Sequence, residues 1–137
     1  MNNSLTKFEP ITFKHDSDMF EGYALHSEDN VLLTVGISTD YQCCEYAGVN
    51  VLFLKKQTFD DFIGSTLIEI VIDEKLSESK HSRLFPGPIN KYEHNFVTLT
   101  VYTSAGKFYI GVFNDHNGYY PHYYYFKFGS REDYDTL

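Results

Sequence analysis

At 137 residues the chain has the size of one domain, in which folding removes roughly two-thirds of the unfolded surface from water. Hydrophobic residues make up 42% and aromatics 18%, with no Trp, which excludes a disordered chain and puts the apolar mass in Phe, Tyr, Val, Ile and Leu. The formal net charge is −8; between Glu9 and Glu45 eight acids (Glu9, Asp16, Asp18, Glu21, Glu28, Asp29, Asp40, Glu45) stand against one base, Lys14, giving −7, while the remaining eleven acids and ten bases give −1. An acidic first third disfavours direct nucleic-acid binding, because phosphates attract Lys and Arg, and suits a basic protein partner or simple solubility.

No apolar run has the length of a membrane span, and the start Met1-Asn2-Asn3-Ser4 lacks the basic end and apolar stretch of a secretory signal. The expectation is a cytoplasmic protein with no membrane partner. Two adjacent cysteines, Cys43 and Cys44, cannot staple distant parts of a fold, so a hydrophobic core must hold the domain.

In chain order, Thr6 to Lys14 reads as extended, with Phe8, Ile11 and Phe13 apolar and Pro10 blocking a helix. His15-Asp16-Ser17-Asp18 turns the chain. Met19 to Leu25 and Val31 to Ile37 read as strands joined by a hairpin loop, His26 to Asn30. A loop from Ser38 to Gly48 holds the cysteines, and Val49 to Leu54 is a short apolar strand.

The one helical turn begins at Thr58, a capping residue, carries Asp60 and Asp61 at its positive end, and stops at Gly64. Thr66 to Asp73 is a β-branched strand. Glu74 to Tyr92, polar and containing Pro86-Gly87-Pro88, is expected to be a mobile loop. From His94 to Thr103, Val97, Leu99 and Val101 alternate with Thr98, Thr100 and Tyr102, the period of a half-buried strand. After Ser104 to Lys107, the alternation resumes at Phe108, Ile110 and Val112, turns at Asn114 to Gly118, and returns as Tyr119 to Phe128. This predicts an antiparallel meander ending in a tyrosine-rich hairpin, Asn114 to Phe128. The fold class is mainly β, a bent antiparallel sheet or small barrel with one short helix, in a single domain over residues 1–137.

Phosphate-loop, dinucleotide-binding, zinc-protease and nucleophile-elbow motifs are all missing from the sequence. Asp40 and Glu45 flank the cysteine pair and disfavour the thiolate, so Cys43 and Cys44 read first as structural thiols, with a metal or redox pair and a catalytic nucleophile as the alternatives. Six histidines are scattered, and His116 and His122 flank the Asn117-Gly118 turn with Asp115. Solvated turn residues, a metal site, and a general base with its orienter are the alternatives there. Tyr119, Tyr120, Tyr123, Tyr124, Tyr125, Phe126 and Phe128 put aromatics on both faces of one strand. One face must meet something other than the main core: a second internal layer, a homodimer seam, or a partner.

Asp40-Tyr41-Gln42-Cys43-Cys44-Glu45, Phe62-Ile63-Gly64, Thr103-Ser104-Ala105-Gly106-Lys107 and Asn117-Gly118-Tyr119-Tyr120, taken in order, resemble a family of small uncharacterised phage and bacterial proteins. That family shares a paired-cysteine loop and a late Asn-Gly-Tyr-Tyr turn. The resemblance runs from about Val31 to Phe128 and implies a mobile-element setting, with binding against host defence systems and the host-cell cytoplasm as the location. The leading expectation is a non-enzymatic, anti-CRISPR-like inhibitor that needs no cofactor and meets a basic surface of a host nucleoprotein. Its candidate contacts are Asp16, Asp18, Glu21, Glu28, Asp29, Asp40, Glu45, Asp115, His116, Asn117, Tyr119, Tyr120, His122 and Tyr124. The alternatives are a nucleotide-signal sponge with tyrosine stacking and a metal-dependent hydrolase at residues 114–122.

Overall fold

The computed structural model describes residues 3–39, 47–54, 56–72, 96–114 and 123–137. Among them are nine strands and one 3-10 turn. The strands are β1 (Lys7–His15), β2 (Asp18–His26), β3 (Val31–Ser38), β4 (Ala47–Leu52), β5 (Leu67–Ile72), β6 (Phe96–Thr103), β7 (Gly106–Asn114), β8 (Tyr123–Phe128) and β9 (Arg131–Thr136). They form a five-stranded sheet, β1-β2-β3-β8-β9, and a four-stranded sheet, β4-β7-β6-β5, with antiparallel pairing throughout. The chain is thus mainly β. Of the two expected architectures, the small barrel does not form: the ladder is interrupted and two sheets face each other across one core.

Local chemistry explains the early elements. Pro10 sits in β1 at the sheet edge, where a missing N–H removes no ladder bond. Asp16 and Ser17 make a two-residue hairpin with both φ angles positive, 51° and 73°, the turn whose twist matches the strands on either side. The loop after β2 closes through Ser27 N–H donating to the Asn30 carbonyl at 2.8 Å, and the Ser27 hydroxyl accepts from Asn30 N–H at 3.2 Å.

The expected helix is a single 3-10 turn, Phe59–Phe62. Thr58 N–H donates to Asp61 Oδ2 at 2.8 Å, and the turn drives Phe62 fully into the core, 5.1 Å from the Phe108 ring.

The core lies between the sheets. Leu25, Leu33, Val35, Ile37 and Phe126 from the first sheet meet Val97, Leu99, Val101, Phe108, Ile110 and Val112 from the second. Leu5 joins them, pinned by its N–H donating to the Ser65 carbonyl and by Gly64 N–H donating to its own, both at 2.8 Å.

In β6 the expected alternation holds, but Thr98 and Thr100 are buried as well. They occupy the face of the second sheet that carries a separate cluster of Leu52, Tyr109 and Phe113. The polar partner in a period-two pattern was therefore no guide to exposure here.

The C-terminal region departs most from the sequence reading. β7 and β8 do not pair: β7 lies between β4 and β6, whereas β8 lies between β3 and β9. The hairpin expected from Asn114 to Phe128 is replaced by a crossing between sheets. The hairpin that does form is β8–β9, turning at Gly129-Ser130.

Gly22 and Gly36 face each other in register at the centre of the first sheet. A Cβ on Gly22 would overlap the Val35 carbonyl, and one on Gly36 would lie 2.8 Å from the Phe13 ring. Gly22→Ala should cost about 3 kcal/mol or more, because backbone must move. Gly48→Ala, whose Cβ would meet only the Phe113 ring at 3.3 Å, should cost less than about 1 kcal/mol by the same reasoning. Urea unfolding of the two variants measures the contrast; equal losses would contradict it.

Candidate functional site

Strand register assigns every side chain of the first sheet to a face. On the face turned from the core, β1 presents Phe13 and His15, β2 presents Asp18 and Phe20, β8 presents Tyr123 and Tyr125, and β9 presents Glu132 and Tyr134. These residues form a second aromatic layer. Phe13 stacks on Phe20 with ring centres 5.2 Å apart, and Tyr125 lies 5.5 Å from Phe13 and 6.2 Å from Phe20. Phe20 is 1% exposed and Tyr125 7%, so this layer is a true core, with no second sheet above it among the described residues.

His15 closes the layer. Its ring lies 4.5 Å from Tyr125 and 4.8 Å from Tyr134, although β1 and β9 are opposite edges of the sheet. In a flat sheet four strand spacings would separate those edges by roughly 19 Å. The sheet must therefore curl toward this face, carrying the Asp16-Ser17 turn against β9.

Two hydroxyl–carboxylate bonds fix the closure. Tyr134 Oη donates to Asp18 Oδ2 at 3.2 Å, and Tyr125 Oη donates to Glu132 Oε2 at 2.9 Å. Burial, reinforced by the Glu132 carboxylate, pushes the Tyr125 hydroxyl up to about 12. Burial and the Asp18 carboxylate likewise raise Tyr134. Both tyrosines are therefore neutral donors at physiological pH.

Of the residues expected to form a site, Asp16 is exposed at the turn tip and Asp18 is half-buried beneath Tyr134. Glu21 points to the opposite face, into a cleft of about 400 Å³ lined by Pro10, Thr12, Tyr23 and Val49. Glu28 and Asp29 project from the far end of β2. Tyr124 turns inward, stacks 5.5 Å from Phe126 and packs on the main core. Asp40, Glu45, Asp115, His116, Asn117, Tyr119, Tyr120 and His122, together with Cys43 and Cys44, lie outside the described residues.

Three acids that the charge count left among the balanced remainder stand on β9: Glu132, Asp133 and Asp135. Asp133 holds Arg131 at 3.0 Å. Phe128-Gly129-Ser130-Arg131 was the available signal, a turn followed by alternating Glu132 and Tyr134. The acidic turn and the tyrosines, read from the sequence as separate candidates, thus meet at one end of the first sheet.

Elsewhere on the same sheet Glu9 is held by Lys7 at 2.7 Å and by His26 at 3.0 Å. The Lys7 hydrogen bond lowers the Glu9 carboxyl below its ordinary value. Among the described residues no three His, Cys, Asp or Glu side chains gather to hold a metal, and no helix is long and apolar enough to cross a membrane. No family model, characterised protein or solved structure matches the chain.

Unfolding should become easier between pH 10 and about 12. There the exposed tyrosine of the unfolded state gives up its proton while folded Tyr125 keeps it, so rising pH favours the unfolded chain. Tyr125→Phe should cost about 1 kcal/mol at pH 7, from the lost hydrogen bond, and make the alkaline decline shallower. Urea titrations at several pH values check both; an unchanged slope in the variant would contradict the Tyr125 assignment.

Proposed function

We propose that this protein is a non-enzymatic binding protein whose acidic, tyrosine-bearing end engages a basic surface on a partner protein. The observation that supports this reading is the meeting of Asp16 and Asp18 with Tyr123, Tyr134 and Glu132 on one curled face. Carboxylates steer a basic partner and favour the correct orientation, while half-buried tyrosines offer rigid rings with polar tips. Tyr134 and Tyr125 direct their hydroxyls to carboxylates, which suits a scaffold that holds its charges in place more than one that transfers protons.

The resemblance read from the sequence extends the proposal: the partner is a host defence nucleoprotein, and the protein an inhibitor carried by a phage or mobile element. In that reading the carboxylates occupy positions that nucleic-acid phosphates would otherwise take.

A second reading, a small-ligand binder, draws support from a cleft of about 320 Å³ on the same curled face, lined by Ile11, Phe13, Ala24, His26, Thr34 and Tyr125. Only one of its lining residues, Lys14, carries a permanent positive charge, which is meagre for a nucleotide's phosphates. The basic-partner reading is preferred for that reason.

Capture of host proteins on the immobilised chain tests it. A basic partner should be retained at low salt and released as salt rises, because exposed charge pairs are screened. Asp16→Asn keeps a residue that tolerates positive φ and should weaken capture about two- to fivefold through loss of steering. Asp29→Asn, at the far end of β2, should leave capture unchanged. Equal weakening by both would reduce the effect to net charge, and a salt-insensitive partner would contradict the proposal.

A further inference from the structure

The edge of β5 differs from the other strand edges in what surrounds it. Ile68 is 67% exposed and Val31 54%, and both line one groove of about 520 Å³ with Leu32, Leu67, Ile70 and Phe128. All residues lining it are described ones. The groove runs along β5, which among the described residues pairs with β6 on one side and on the other meets only the segment at Ser4, so backbone donors and acceptors face it.

Part of this edge is already used. Ser4 bridges Thr66 in the antiparallel sense, and Leu67 N–H donates to the Asn3 carbonyl at 2.9 Å. That short pairing shows that the edge accepts an extended segment, and it stops where Ile68 bulges out of the β5–β6 ladder. Beyond it, Ile68 to Ile70 continues the same edge along the apolar groove. Glu69, exposed, lies in the middle of that stretch and forms no ion pair or hydrogen bond among the described residues.

We propose that the open edge of β5 is a strand-docking site, taking an extended apolar segment of a partner that carries a lysine or arginine opposite Glu69. The backbone edge supplies affinity, the groove takes the apolar side chains that alternate toward it, and Glu69 selects charge. This site lies at the opposite end of the first sheet from the acidic, tyrosine-bearing face: Val31 pairs with His26, whereas Asp18 pairs with His15. It stands or falls separately from that reading.

The test uses a blocked, fluorescein-labelled hexapeptide of alternating valine and threonine with one central lysine, and the same peptide with glutamate in that place. In fluorescence polarisation the lysine peptide should bind at least about tenfold tighter. Glu69→Lys should invert the order, and Ile68→Asp should abolish binding of both. Hydrogen exchange should slow at the amides of Ile68 to Ile70 when the lysine peptide is added. Failure of the lysine peptide to bind, equal binding of the two, an order unchanged by Glu69→Lys, or protection on other strands would each overturn the proposal. Light scattering that shows β5-dependent dimers, abolished by Ile68→Asp, would overturn it in favour of a second copy as the occupant.

Discussion

The structure turns on the close approach at Gly22 and Gly36. Two glycines facing each other in mid-sheet leave no side chains on the outward face, and the Phe13 ring settles directly over Gly36. Room for that ring lets Phe20 and Tyr125 close beside it and lets His15 reach across to Tyr134. The curl of the sheet follows from this packing, because burying large aromatic surfaces is worth several kcal/mol relative to leaving them in water. Without the glycines the face would be filled with Cβ atoms and the edges would stay apart.

The curl also answers the question posed by a strand with aromatics on both sides. Tyr124, Phe126 and Phe128 stack as a ladder on the main core, while Tyr123 and Tyr125 join the outer layer with Tyr134. A second internal layer, rather than a bare hydrophobic face, receives the other half of β8. What stays accessible is the rim of that layer, where half-buried Tyr123 and Tyr134 meet exposed Asp16.

Much of this was legible in the sequence, and what was missed has physical reasons. β1, β2 and β3 lie within a residue or two of their expected limits, because Pro10, Asp16-Ser17 and Ser27 to Asn30 punctuate them clearly. Alternation in β6 and β7 likewise gave the strands and the inward set Val97, Leu99, Val101, Phe108, Ile110 and Val112. Alternation reports which face a side chain occupies and carries no information on which strand lies alongside. Chain order alone therefore puts β8 next to β7, whereas it pairs with β3, more than eighty positions earlier in the chain. β9 carries little strand signal because Arg131 to Thr136 is mostly polar; an edge strand needs few apolar residues of its own. The joining of the acidic turn to the tyrosines depends on those two long-range pairings and on the curl, so no local pattern announced it.

Opposite edges of one sheet meet through His15, making a single surface of the acidic turn and the tyrosine strand. A two-dimensional NOE spectrum of the folded protein reads this contact. Cross-peaks from the His15 ring to both Tyr125 and Tyr134 are expected, at the ring separations of 4.5 and 4.8 Å. Contacts from His15 to Phe20 alone, with none to Tyr134, would mean that the edges remain apart and that the surface is not one.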